Sequence, residues 1–168
     1  MTISMYAASV PVMTRVLGIL SGILAKGSAH AEVLGIDPAV LINARLYPNM
    51  YPLSRQVQIA TDVAKGCAAR LAGQQPPPYA DTEASFPELQ ERIGKTIAFL
   101  RSFGPAQIDG SEERRVELKV GGRPMTFQGL AYLQHFVLPN VYFHTTTAYA
   151  ILRHNGVDLG KADYLGAL

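Results

Sequence analysis

Three polar side chains interrupt apolar helical patterns in this sequence and have types that could do chemistry. His144 and Asn140 lie four residues apart in a segment with helical spacing, so their side chains point the same way, one turn apart. Gln56 borders the apolar stripe of an earlier helical segment. An imidazole and two carboxamides can bind a small polar molecule, and an imidazole can also transfer a proton near neutral pH. The sequence therefore predicts a polar cavity inside a helical core.

Other residues extend this predicted site. Gln134 belongs to the same apolar stripe as His144, although a buried glutamine bonded to a neighbouring carbonyl or a water is ordinary. Pro139 removes one amide donor and frees the carbonyl of His135. Arg45 and Tyr47 lie in a loop that leads into the second long helix, where they would either line a mouth or cover the end of the bundle. The pocket candidates are Gln56, Asn140, His144, His135, Arg45 and Tyr47.

Four long helices are predicted to position these residues, because apolar residues recur every three or four positions in four segments. Gly27 is a plausible end for the first helix, and Ser85 with Glu88 forms a capping box that opens the third. The linker between the second and third helices is rich in glycine and proline. The predicted helices cover about 3–27, 52–71, 85–104 and 126–155, and the linker covers 73–84.

A small β-hairpin is predicted just before the last helix. Val116, Leu118 and Val120 alternate with polar residues, and Gly121-Gly122 permits a tight primed turn. An isolated hairpin is marginally stable, so we expect it to pack on the helices. The sequence thus predicts an all-α fold, a single four-helix-bundle domain over residues 1–168, with this hairpin as its one β element.

Composition narrows the function classes. Of 168 residues, 48% are hydrophobic and 17% charged, which is typical of a globular domain. The net charge of +2 is small and scattered, so nucleic acid is not an expected partner. No uninterrupted apolar run reaches the roughly 18 residues that span a bilayer, so a membrane is not expected either. The single cysteine, Cys67, is predicted to be a buried core residue, and we expect a cytoplasmic location.

Two blocks of the sequence, 45–58 and 139–161, resemble an uncharacterised branch of the DinB/YfiT-like superfamily, a domain of unknown function. His144, Leu152, Arg153 and Gly156 match the end of the last helix in that family, where a metal-binding histidine precedes Leu-Arg and a helix-ending glycine. The resemblance covers nearly the whole chain. It implies an up-down four-helix bundle of DinB/YfiT type with a long crossover, and often a homodimer.

The resemblance also implies a candidate cofactor, a divalent transition metal such as zinc or nickel with His144 as a ligand. The wider family includes metalloenzymes with three histidine ligands, some linked to thiol transfer. Its last helix carries His-x-x-x-His, whereas the first of these positions is Asn140 here and the nearest counterpart of the second-helix histidine is Gln56. A neutral amide is a poorer ligand than imidazole for either metal, and of the last-helix pair only His144 is retained.

Three functions fit these observations. The first is a bundle that binds a small molecule at the polar core site. The second is a metal-dependent or thiol-transfer-type enzyme in which His144 is a ligand or general base. The third is a homo-oligomeric structural or interaction protein, most simply a homodimer, whose polar core residues set the packing.

Overall fold

The structure, a computed structural model, describes residues 3–166, which are mostly helical. A π-helical segment (Tyr132–Val137) joins two of the helices, and two antiparallel strands form a hairpin. The strands are β1 (Arg115–Val120) and β2 (Arg123–Gln128). The helices are α1 (Met5–Leu34), α2 (Pro38–Ile42), α3 (Leu53–Leu71), α4 (Phe86–Arg101), α5 (Pro105–Ile108), α6 (Gly129–Ala131), α7 (Leu138–His154) and α8 (Lys161–Leu165).

Helix α1 is longer than the sequence predicted. It begins after Ser4, whose Oγ accepts a hydrogen bond from the backbone of Ala7, and it ends at Gly35 in the left-handed conformation with φ of 64°. The predicted end at Gly27 is wrong. Gly27 is buried inside the helix, where an added Cβ would lie 3.0 Å from a methyl carbon of Leu152. Its role is therefore close packing of α1 on α7.

The core lies between the four long helices. Helix α3 packs on α4 and α7, and α1 packs on α3, α4 and α7. By length and hydropathy alone, α1 could cross a membrane. In the structure 44% of its most apolar window is buried inside the protein. The fully buried residues at the centre of α1 are Met13, Leu17, Leu20, Ile23 and Leu24.

The predicted hairpin is present. Val120 pairs with Arg123, which leaves Gly121 and Gly122 as a two-residue turn. Their φ values are 56° and 81°, so both residues adopt the left-handed backbone that a type I′ turn requires and that glycine tolerates best. Val116 is buried against the helices, as expected for a hairpin that packs on the core.

The last long helix does not begin near Thr126, which lies in β2. The chain instead forms α6 and the π-helical segment before α7 begins, with Pro139 in the first turn of α7. A π turn is wider than an α turn, so it rotates the residues that precede α7. As a result Leu133 and Val137 face the core, and Gln134, predicted on the buried stripe, is exposed.

Candidate functional site

Two of the predicted polar residues meet across the core. His144 on α7 is 8% exposed, and its Nδ1 lies 2.7 Å from Oε1 of Gln56 on α3. Gln56 is also buried, and its Nε2 donates to the backbone carbonyl of Tyr51 at 3.0 Å. Helices α3 and α7 make the most extensive helix–helix contact in the described chain. The carbonyl of Tyr51, just before α3, therefore fixes the orientation of the Gln56 amide. That amide in turn fixes the orientation of the His144 ring.

This chain of hydrogen bonds determines where the proton of His144 lies. A backbone carbonyl only accepts, so the nitrogen of Gln56 must face Tyr51 and its oxygen must face His144. An amide oxygen also only accepts, so Nδ1 of His144 carries the hydrogen. In the neutral ring Nε2 then bears a lone pair. Nε2 has no hydrogen-bond partner within residues 3–166 and is not among their fully buried unpaired atoms, so part of its surface is open to solvent.

The ring is neutral near pH 7. Burial lowers the pKa of His144 to about 4, and the positive charge of Arg55 acts in the same direction. Both effects disfavour an imidazolium ion, because a buried charge loses its hydration and a nearby like charge repels it. His144 is therefore a hydrogen-bond acceptor at Nε2 over the whole physiological pH range.

One aromatic ring contacts the imidazole of His144, and a second lies beside Arg55. The ring of Phe143 meets the imidazole of His144 edge-on at a centroid distance of 5.2 Å, and more than half of its surface is exposed. The ring of Tyr51 is also exposed, and the guanidinium carbon of Arg55 lies 5.9 Å from its centre. The imidazole therefore has one exposed aromatic neighbour, Phe143, and Arg55 is close enough for its charge to act on the ring.

The other predicted site residues do not join Gln56 and His144. Asn140 is half-buried, and its side chain donates to the carbonyl of Phe136 at 2.8 Å within its own helical segment. Arg45 is exposed and donates to the carbonyl of Met50, one residue before Tyr51. Tyr47 and His135 are exposed. The structure thus brings together one imidazole and one carboxamide rather than the larger constellation.

The donors at this site fit a zinc or nickel ion poorly. Among residues 3–166, no three His, Cys, Asp or Glu side chains are grouped so that they could hold a metal ion. His144 has one imidazole nitrogen to offer, and the oxygen of Gln56 is already a hydrogen-bond acceptor. Tight zinc sites use three or four thiolate, imidazole or carboxylate ligands.

Cys67 is a buried thiol, as the sequence predicted. Burial raises its pKa to about 12, and the charge of Arg70 opposes this only in part. A thiol is nucleophilic only as the thiolate. Cys67 is thus a core residue and supplies no nucleophile at neutral pH.

Sequence reasoning missed a buried charge cluster between α3 and α4. The side chain of Arg92 on α4 is 2% exposed, yet all three of its guanidinium nitrogens make hydrogen bonds. Burial would lower its pKa, but the neighbouring carboxylates outweigh burial and raise it. We name Arg92 and its side-chain partners the Arg92 cluster; the partners are Thr61 (2.8 Å), Asp62 (2.8 Å), Asp81 (3.1 Å) and Glu83 (2.9 Å).

The Arg92 cluster binds the extended connection between α3 and α4 to these two helices. Two of its carboxylates, those of Asp81 and Glu83, belong to this connection, and Arg92 also donates to the carbonyl of Ala80 at 2.8 Å. Tyr79 in the same connection has the ammonium group of Lys65 3.5 Å from its ring centre. The predicted linker is therefore bound to the surface of two helices, which fixes the position of the N-terminal end of α4.

The comparisons with known proteins agree with this architecture. Residues 5–165 match the family model described as a domain of unknown function, DUF1993. The chain belongs to this family. It is also similar to a solved structure, the crystal structure of a DinB family member from Shewanella denitrificans, with 39% identity and a TM-score of 0.87. That match covers 97% of this chain and 92% of the other. No curated protein matches the sequence.

Proposed function

We propose that this protein binds a small molecule at the site formed by Tyr51, Gln56 and His144, with His144 as the residue that recognises it. The ligand carries a hydrogen-bond donor, such as a hydroxyl, amine or thiol group, which donates to Nε2. The observation that carries the proposal is the buried hydrogen bond between Nδ1 of His144 and Oε1 of Gln56 at 2.7 Å, because it leaves Nε2 as an open acceptor.

The arrangement resembles a recognition site more than a packing contact. Most buried polar atoms have a hydrogen-bond partner, either in the protein or an ordered water. The oxygen and one N–H of Gln56 have hydrogen-bond partners in the protein. In contrast, Nε2 of His144 has none among the described residues and is partly open to solvent. The exposed ring of Phe143, which contacts the imidazole, suits a ligand with an apolar body.

The alternative is a metal-dependent or thiol-transfer-type enzyme that uses His144. For acid–base chemistry near pH 7, a group with a pKa close to 7 is the most effective. A ring with a pKa of about 4 is a weak base at that pH, although it still accepts hydrogen bonds. Binding therefore fits His144 better than catalysis does.

The proposal is tested by replacing Gln56 with glutamate. A carboxylate beside Nδ1 favours the charged imidazolium, in which Nε2 is a donor instead of an acceptor. In a ligand-observed NMR screen of small alcohols, amines and thiols, we expect compounds that bind the native protein to lose at least about tenfold in affinity in Gln56→Glu, since the acceptor that receives the ligand's hydrogen becomes a second donor.

A matched control is available in α4. The amide nitrogen of Gln90 also donates to a backbone carbonyl, that of Ser21, at 2.8 Å, but it contacts no histidine. Gln90→Glu therefore loses a comparable hydrogen bond without changing His144. Equal losses of affinity in the two variants would overturn the proposed role of His144, as would a screen in which no donor compound binds the native protein.

Four broader features belong to the same proposal: the bundle topology, the single domain, the cellular location and the oligomeric state. The contacts of α1 with α4, α4 with α3, α3 with α7 and α7 with α1 support a four-helix bundle. For it we propose the up-down topology of DinB/YfiT type, with the α3–α4 connection as its crossover, in a single domain. We also propose a cytoplasmic homodimer. The exposed apolar side chains of Val33 and Leu34 at the end of α1 suit a contact with a second copy, which the molar mass in solution tests.

A further inference from the structure

The outer edge of β1 is open in the described part of the chain. The two-residue turn of the hairpin is flanked by Val120 and Arg123, so these two residues form a hydrogen-bonded pair. Hydrogen-bonded and non-hydrogen-bonded pairs alternate along an antiparallel ladder, so the N–H and C=O groups of Glu117 and Lys119 point away from β2. Within residues 3–166 these groups have no hydrogen-bond partner. The strand therefore presents a free edge.

The outer edge of β2 differs, because it contains a proline. Pro124 is paired with Lys119 and therefore occupies a position whose N–H would point away from β1. Proline has no N–H, and a proline at a sheet edge disfavours the addition of another strand there. The β1 side is thus the edge of the hairpin that can accept a further strand.

The side chains of β1 are complementary to a second copy of the same strand. Residues 116–120 read Val-Glu-Leu-Lys-Val, which is symmetric about Leu118 except that the two charges are opposite. When two such strands pair antiparallel with Leu118 opposite Leu118, each Glu117 lies opposite Lys119 of the other copy. Opposite charges in directly facing positions stabilise an antiparallel pair, whereas like charges destabilise it.

The same register satisfies the backbone groups of the open edge. It places Glu117 and Lys119 opposite each other, and both have their N–H and C=O groups on that edge. Each such pair exchanges two backbone hydrogen bonds. A shift of two residues in either direction would place Glu117 opposite Glu117 or Lys119 opposite Lys119, so the charges disfavour those registers.

A groove beside β1 leaves room for the second copy. It has a volume of about 370 Å³ and is lined by Arg70, Gly73, Gln74, Gln75, Arg115, Val116 and Glu117. In this register Val120 of the second copy lies opposite Val116, and the Gly121-Gly122 turn that follows it would enter the groove. Glycine has no side chain, so this turn suits a narrow space, and the exposed Val120 would gain an apolar neighbour.

We propose that the outer edge of β1 binds a second copy of this chain, so that two hairpins join into a four-stranded antiparallel sheet with Glu117 of each copy beside Lys119 of the other. This inference rests on the homodimer proposed above and assigns its contact. Hydrogen bonds and charges at β1 define one geometry, whereas the apolar side chains of Val33 and Leu34 define none. The contact is small, so we expect a dimer that dissociates on dilution.

Charge reversal tests the register, with the dimer affinity of the full-length protein measured by sedimentation. In Glu117→Lys two cations face each other across the contact, and in Lys119→Glu two carboxylates do. Each variant should therefore dimerise at least about tenfold more weakly than the native protein. An equimolar mixture of the two variants should regain the native affinity, because every cation then faces a carboxylate. Arg123→Glu reverses an exposed cation on β2 and is the matched control, which should dimerise as the native protein does.

Amide hydrogen exchange tests the backbone pairing. At high protein concentration the N–H groups of Glu117 and Lys119 should exchange more slowly than at low concentration, because they donate to the second copy. The N–H of Thr126 points away from β1 at the other edge of the hairpin. It should exchange at the same rate at both concentrations.

The results separate this contact from the homodimer itself. A native protein that is monomeric at every concentration would overturn both. A dimer that both charge reversals leave unchanged would overturn the β1 contact and keep the homodimer, as expected for a contact through Val33 and Leu34. A mixture of the two variants that associates no better than either alone would overturn the register. None of these results bears on the His144 site, which the ligand screen tests separately.

Discussion

Replacement of Arg92 by methionine is expected to lower the free energy of unfolding by about 3 kcal/mol. Loss of one partner from a buried ion pair costs about 3–5 kcal/mol, because the remaining charges have no counter-ion. In this variant the carboxylates of Asp62, Asp81 and Glu83 would face one another around an apolar side chain. We choose the lower end of that range because Asp62 and Asp81 are more than one-third exposed and can regain water.

Urea unfolding of the native protein and two companion variants checks this expectation. Arg92→Lys keeps the charge but lacks the planar fork of donors that reaches several acceptors at once, so a partial loss is expected. Arg101→Met changes an exposed arginine of the same helix and should stay within about 0.5 kcal/mol of the native protein. If Arg92→Met were as stable as Arg101→Met, the Arg92 cluster would not be what holds the α3–α4 connection.

The second large effect is expected at Gly129, where alanine should destabilise the protein by about 3 kcal/mol. A Cβ there would lie 2.0 Å from the carbonyl oxygen of Ser111 and 3.1 Å from its carbonyl carbon. Both are backbone atoms, so no side-chain rotation relieves the clash. The neighbouring hydrogen bond from Leu130 N to Glu112 O, 2.9 Å long, holds the two segments together. Overpacking of this kind typically costs about 1–3 kcal/mol, and a backbone clash belongs at the upper end.

Gly22→Ala is the matched control for this substitution. Gly22 lies inside α1, and an added Cβ would meet no heavy atom within 4 Å. Alanine is the better helix former by about 0.5–1 kcal/mol, so this variant should be more stable than the native protein. Chemical unfolding of the two variants should therefore give changes of opposite sign. A Gly129→Ala protein with native stability would show that Ser111 and Gly129 are not in close contact.

Local signals in the sequence are sufficient for much of the fold. Helical spacing of apolar residues locates the four long helices, and the Gly121-Gly122 pair identifies the hairpin turn because only a left-handed backbone closes it in two residues. The capping pattern at Ser85 likewise marks the start of α4, where its hydroxyl accepts from the backbone of Glu88. Each of these features depends on interactions within a few residues, which a single sequence displays directly.

The π-helical segment shows why the buried face before α7 was not predicted. Helical spacing continues through residues 127–137, so the pattern alone suggests an unbroken α-helix. The wider turn shifts which residues face inward, and Gln134 consequently moves to the surface. Pro139, which cannot donate a backbone hydrogen bond, was the available sign that the helix is irregular here.

The Arg92 cluster was missed although the sequence contains a sign of it. Leu89, Arg92, Ile93 and Thr96 follow one another at helical spacing, so an arginine lies on a buried stripe. A charged residue in such a position is buried only if it is paired. Its partners Asp81 and Glu83 lie in the predicted linker, and only the folded connection brings them to α4.

The candidate site was predicted in part. Gln56 and His144 were singled out as polar residues near apolar stripes, and the packing of α3 on α7 brings them into contact. Asn140 has a different partner, because its amide bonds to the carbonyl of Phe136 in its own helical segment. Asparagine readily makes such local bonds to the backbone. Spacing along a helix gives the face on which a residue lies, but it does not choose between a local and a distant partner.

The most direct test of the account is an NMR measurement of the His144 ring in protein labelled with ¹⁵N-histidine. We expect a neutral ring at pH 7 with the hydrogen on Nδ1, charged only as the pH falls towards about 4, and a shift of the Nε2 signal when a donor compound from the screen is added. A ring with its hydrogen on Nε2, or an Nε2 signal that no such compound moves, would contradict the central claim that His144 is an open acceptor for a ligand.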